Sequence, residues 1–180
     1  MAHIDLGVDE HAHPGILGLV EYRPETGGPL MELANVLLYA ENSLTRGERE
    51  LIAAYVSGLN ECDFCASSHS AFAAAQLAGG KELVNQVRCD GDNAPVSEKM
   101  RALLRIAGAV RSDGREVTPE LVAKARAAGA SDVEIHDTVL IAAAFCMYNR
   151  YVDGLGTIAP DDPQGYDEAA AAIVEFGYSG

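Results

Sequence analysis

The stretch ECDFCASSH, residues 61–69, holds two of the chain's four cysteines in a Cys-x-x-Cys pair with a histidine downstream. On an α-helix turning by about 100° per residue, Cys62, Cys65 and His69 fall at about 0°, 300° and 340°, so both thiols and the imidazole share one face. The same stripe includes Ala66, Phe72, Ala73 and Leu77, which predicts a partly apolar crevice that excludes water. Thiols near a helix start are favoured as thiolates by the helix dipole, and His69, one turn below Cys65, can take or return its proton. Glu61 and Asp63 oppose ionisation, because each places a negative charge beside the thiols.

Three chemistries fit these residues. A paired dithiol can attack an electrophile such as a peroxide oxygen, pass through a sulfenic acid and close to a disulfide. Cys62, Cys65, His69 and a fourth ligand such as Glu50 could instead bind zinc, although structural zinc usually draws on two separated ligand pairs in a small loop-rich module. The third possibility is a pair of inert buried thiols beside a core histidine.

The elements that must position these groups read as helices. The chain of 180 residues is 48% hydrophobic and only 6% aromatic, has no Trp, and is Ala-rich, which predicts an all-α protein. Residues 1–28 contain His3, His11 and His13 among turn signals and read as an N-terminal arm, with residues 29–180 as one helical domain. Pro29 suits a first helical turn ahead of Leu30, Leu33, Ala34, Leu37 and Leu38. Thr45 to Glu48 matches a capping box and predicts a helix to about Leu59, with Glu50 over the small residues Ala53, Ala54 and Ser57. Asn60 is then expected to cap a cysteine-bearing helix reaching about Ala78, stopped by Gly79 and Gly80. Further helices are predicted after Pro95, after Thr118, from Ser131 to about Gly154, and at the C-terminus. A second capping-box pattern at Ser131 to Glu134 suggests a duplicated helical pair, in whose register His136 falls opposite Glu50 and Cys146 opposite Asn60.

A net charge of −14 repels nucleic-acid phosphates and anionic lipid, and there is no basic patch to offset it. No run approaches the roughly 18 apolar residues of a membrane span, and the first residues lack a signal-peptide pattern, so a cytoplasmic location is expected. Apolar residues on more than one side of several helices, as in VLIAAAFCMY, predict a homo-oligomer. Cys89 and Cys146 read as lone, buried or partly buried thiols, His136 as a partner of Asp132 or a further site residue, and Arg150 with Asp153 as a local ion pair.

Glu50, the Cys62-Asp63-Phe64-Cys65 motif and His69 together resemble the signature of the AhpD-like alkylhydroperoxidases, within the carboxymuconolactone decarboxylase superfamily. The resemblance covers about residues 31–110, and YNRYVDG, residues 148–154, is similar to the second-half helix of peroxidase-related members. It implies a multihelical, often trimeric or hexameric protein without a cofactor or metal. Such a protein reduces organic hydroperoxides with electrons from a thiol reductant, a dihydrolipoyl group or a thioredoxin-like protein. Carried onto this chain, it makes Cys65 the peroxidatic thiol, Cys62 the resolving thiol, and His69 with Glu50 the proton relay. Some members have a further histidine where this chain has Phe64, and the decarboxylase branch does not use a cysteine pair. The positions agree with that division, since His69 is one turn from Cys65 but nearly two from Cys62.

Overall fold

The computed structural model describes residues 1–178. Among them the chain forms α1 (Ile16–Tyr22), α2 (Pro24–Leu38), α3 (Arg46–Leu59), α4 (Asp63–Gln76), α5 (Gly80–Cys89), α6 (Glu98–Ser112), α7 (Pro119–Ala127), α8 (Asp132–Gly154) and α9 (Pro163–Phe176), with a 3₁₀ turn at Gly114–Glu116 and no strand. The fold is all-α, as the composition predicts. No helix of the described residues is long and apolar enough to cross a membrane.

The centre of the molecule is α3, which is buried on nearly every side: Leu51, Ile52, Ala53, Ala54, Val56 and Ser57 lie in the core together with Arg49 and Glu50. It packs chiefly on α4, and also on α8 and α6. Both α3 and α8 open as their sequences predict. Thr45 Oγ1 accepts from the Glu48 amide at 3.2 Å while the Glu48 carboxylate accepts from the Thr45 amide at 2.8 Å, and Ser131 and Glu134 repeat the arrangement. Arg49 in turn caps the preceding helix, donating to the carbonyls of Leu37 at 2.9 Å and Ala40 at 2.7 Å, groups that the end of α2 leaves without helical partners.

The chain differs from its sequence-based reading in four places. Residues 16–28 are not an irregular arm: α1 lies there, and α2 starts at Pro24, so Pro29 stands inside α2 rather than opening it. The TGG signal is overridden by packing, because a Cβ at Gly27 would sit 2.7 Å from the Val20 carbonyl oxygen, and only glycine lets α1 and α2 fold so closely together. Residues 1–15 do run irregularly, crossing the α8–α9 connection with His3 N donating to Leu155 O and Gly15 N to Ile158 O. Second, the cysteine helix begins later and ends sooner than predicted, with Cys62 as its N-cap and Asn60 as the C-cap of α3.

Third, Gly79 and Gly80 do follow the end of the cysteine helix, but a helix absent from the sequence-based reading starts directly at Gly80. The short amphipathic α5 follows, burying Val84 and Val87. Fourth, α8 runs unbroken to Gly154, so the second half has no counterpart of the corner between α3 and α4.

Candidate functional site

The corner between α3 and α4 places the cysteines. Glu61 has φ 58°, the sole positive φ among the described non-glycine residues, and this left-handed residue turns the chain out of α3 and into Cys62. Arg111 of α6 holds the corner by donating to the Leu59 carbonyl and, at 3.1 Å, to Asn60 Oδ1. From the other side Asn60 Nδ2 donates to Asn149 Oδ1 of α8 at 2.8 Å and lies 3.6 Å from Cys146 Sγ.

Both thiols are free and buried, Cys62 entirely and Cys65 at 4% exposure, under Val152, Ile16 and Phe64. They are not equivalent. The Cys62 thiol donates to Cys65 sulfur, which lowers the Cys65 pKa below the ordinary thiol value; burial opposes this, while the nearby His69 and a hydrogen bond from Asn149 assist it. Cys62 is pushed the other way by that same donated bond, by burial, and by the adjacent Asp153 carboxylate. Cys65 is therefore the thiol poised to ionise, and its place in the first turn of α4 adds the favourable end of the helix dipole.

Four residues after Cys65, His69 points back toward α3, where its Nδ1 lies 2.7 Å from Glu50 Oε2. Glu50 is 1% exposed, so its carboxylate must be met inside the protein. The second oxygen, Oε1, accepts from the Tyr178 hydroxyl at 2.6 Å. Burial, followed by the Glu50 charge, raises the Tyr178 pKa well above the phenol value, so the hydroxyl stays a donor. Phe145 and Phe72 approach the His69 ring edge-on, with centroids 4.5 and 5.2 Å away, and fix its plane.

A cavity of about 530 Å³ lies between α4, α9, α1 and the N-terminal segment. Cys65, His69 and Tyr178 line it, whereas Cys62 does not. All four residues singled out by sequence thus converge, with Cys65 and His69 facing the cavity and Cys62 and Glu50 behind them. Among the described residues no three His, Cys, Asp or Glu side chains are arranged to hold a metal ion.

Other candidates lie elsewhere. His136 is exposed to solvent and pairs with neighbouring Asp137 at 2.9 Å, so it neither joins the site nor bonds Asp132. Arg150 donates to the Cys146 carbonyl, not to Asp153, whose carboxylate lies by Cys62. Cys89 is exposed, His13 pairs with Glu21, His3 packs over Gly156, and His11 reaches the cavity edge. Sequence reasoning did not find Tyr178, Asn149 or Asp153. Nothing in EFGYSG marks its tyrosine, because the contact with Glu50 spans most of the chain; Asn149 and Asp153 sit within YNRYVDG, a polar interruption of an apolar helix, which was the available signal.

Two outcomes follow from this geometry. Because the Cys62 thiol is the main support of Cys65 ionisation, Cys62→Ala should move the pH midpoint of Cys65 alkylation upward, while Cys62→Ser, which keeps a hydroxyl donor, should move it less; mass-resolved iodoacetamide labelling across pH reads both. Tyr178→Phe leaves a buried carboxylate oxygen without its donor and should cost about 1–3 kcal/mol. That loss would appear as a lower urea midpoint with an unchanged slope.

Residues 24–88, from α2 through nearly all of α5, match the model of the carboxymuconolactone decarboxylase family. The fold matches an uncharacterized peroxidase-related protein from Ralstonia eutropha JMP134, described as an alkylhydroperoxidase AhpD core, with a TM-score of 0.77 at 25% identity, over 86% of this chain and 79% of that one. An uncharacterized peroxidase-related protein from Silicibacter sp. TM1040 gives a TM-score of 0.77 at 25% identity, over 86% and 78% of the two chains. A protein of unknown function from Agrobacterium tumefaciens shares the fold, with a TM-score of 0.71 at 22% identity over 82% and 99%. No protein of curated function matches the sequence. The chain thus has the fold of an AhpD core, carries a segment matching the carboxymuconolactone decarboxylase family over residues 24–88, and brings the Glu50, Cys62, Cys65 and His69 side chains together beside one cavity.

Proposed function

We propose that the protein is a thiol-dependent peroxidase that reduces organic hydroperoxides through Cys65 and Cys62. The observation that carries this reading is the asymmetry of the pair: the thiol favoured as thiolate is also the one on the cavity wall, beside His69. The Cys65 thiolate attacks the terminal peroxide oxygen. An S–O bond forms, the O–O bond breaks, and the leaving alkoxide takes a proton from His69 to depart as the alcohol. Glu50 holds Nδ1 of His69, leaving Nε2 for the proton movement. Cys62 then attacks the sulfenic sulfur; the S–S bond forms and the hydroxyl leaves as water with the Cys62 proton. An external dithiol, a dihydrolipoyl group or a thioredoxin-like protein, returns two electrons and two protons and becomes a disulfide.

The protein acts in the cytoplasm as a homo-oligomer in this reading. Val133, Leu140 and Met147 support the second point, since they form an exposed apolar stripe along α8 at heptad spacing. Sedimentation at micromolar concentration should give a mass above the 19.0 kDa of one chain, and a monomer would contradict the assembly.

Single-turnover reaction with an organic hydroperoxide, followed by mass spectrometry, tests the chemistry. Wild-type protein should form the Cys62–Cys65 disulfide, and Cys62→Ser should accumulate a dimedone-trappable sulfenic acid on Cys65. Cys65→Ser should react slowly and form no bridge, and His69→Ala should fold but react more slowly, by roughly 10²-fold or more. If Cys65→Ser consumed peroxide at the wild-type rate, the roles would be reversed; if both cysteine variants did so, the reading would be wrong.

A further inference from the structure

We infer that the cavity selects neutral, lipophilic hydroperoxides and discriminates against those carrying a carboxylate. The inference rests on the peroxidase reading of Cys65 and adds the chemical class of the organic group. Above the polar floor of Cys65, Ser68, His69 and Tyr178, the wall is built of side chains such as Ile16, Leu17, Met31, Phe72 and Ile173. It contains no lysine or arginine. Its one carboxylate is the exposed Asp162, and apart from His69 on the floor the lining's other imidazole is the exposed His11.

The start of α9, which reaches the same edge through Gly165, would ordinarily offer free amides to an anion. Here Asp162 is the N-cap, and its own carboxylate accepts from the Gln164 amide at 2.9 Å. A substrate carboxylate would therefore give up its water for an apolar wall, beside a fixed negative group and inside a protein of net charge −14. An aryl or alkyl group of a neutral hydroperoxide has no such penalty and gains from leaving water. At about 530 Å³ the cavity falls within the range that encloses small organic ligands, so the organic group can be held while the peroxide lies at Cys65.

A matched pair of hydroperoxides isolates the charge: cumene hydroperoxide and its para-carboxylate, which share shape and reacting group. At pH 7 wild-type kcat/KM should favour the neutral compound by at least tenfold, and Ala172→Lys, which adds a cation to the exposed part of the lining, should reduce that ratio at least threefold. Equal rates, or a preference for the carboxylate, would overturn the inference. The corresponding alcohols, cumyl alcohol and its para-carboxylate, separate this from failure of the peroxidase reading, because they bind without reacting. If neither hydroperoxide turns over, that reading fails, and binding of the alcohols followed by NMR decides selectivity alone. Tighter binding of the neutral alcohol, with shifts at Phe72 and Ile173, would sustain the pocket's selectivity. Equal binding, or none at millimolar concentration, would overturn it.

Discussion

A carboxylate in the middle of a helical bundle is tolerable only if its lone pairs are met, and Glu50 imposes that requirement on three parts of the chain. It rises from the most buried helix, α3, receives His69 from α4 on one oxygen, and receives Tyr178 from beyond α9 on the other. These bonds do more than satisfy a buried charge. By engaging Nδ1, Glu50 fixes the orientation of the His69 ring and leaves Nε2 free of that contact, while Phe145 of α8 and Phe72 of α4 prevent the ring from turning away. One acidic side chain thereby links the packing of the central helix to the orientation of the His69 ring and the Tyr178 hydroxyl at the cavity floor.

The corner between α3 and α4 makes a second constraint, and it explains why two chemically identical thiols differ. Glu61 in the left-handed region ends one helix and starts the next within a few residues, which leaves Cys62 at the N-cap, behind the wall, and puts Cys65 one turn further on, at the cavity. A dithiol on a straight helix would have no such sidedness. The corner is held from α6 by Arg111 and from α8 by Asn149, so the supports of the site come from halves of the chain far apart in sequence. Asn149 has two uses here, steadying Asn60 and donating to Cys65.

Enclosure comes from elements outside those that carry Glu50, Cys62, Cys65 and His69. The alanine-rich α9 packs on α4 and closes one side of the cavity, and the segment leading into α1 closes another, with Gly15 at φ 59° lying so near the Phe64 ring that a Cβ there would approach it to 2.2 Å. Phe64, between the two cysteines, is held under this segment and against Tyr166. It packs over both thiols and helps to shield them from solvent.

Much of this was readable from local sequence, and the reason is that the features concerned are local. Capping boxes at Thr45 and Ser131 depend on residues within one turn, so they were legible and correct; the grouping of Cys62, Cys65 and His69 follows from helical periodicity alone. Glu50 was legible through spacing and through the small residues around it. Tertiary structure decided what depends on distant partners. It drew Gly27 and Pro29 into a helix because α1 packs closely there, left His136 in solvent beside Asp137, and brought Tyr178 to Glu50 across most of the chain. It also set which cysteine meets the cavity, since helical spacing places both thiols on one face, whereas the left-handed turn at Glu61 and the packing of α8 and α9 determine which part of that face remains open.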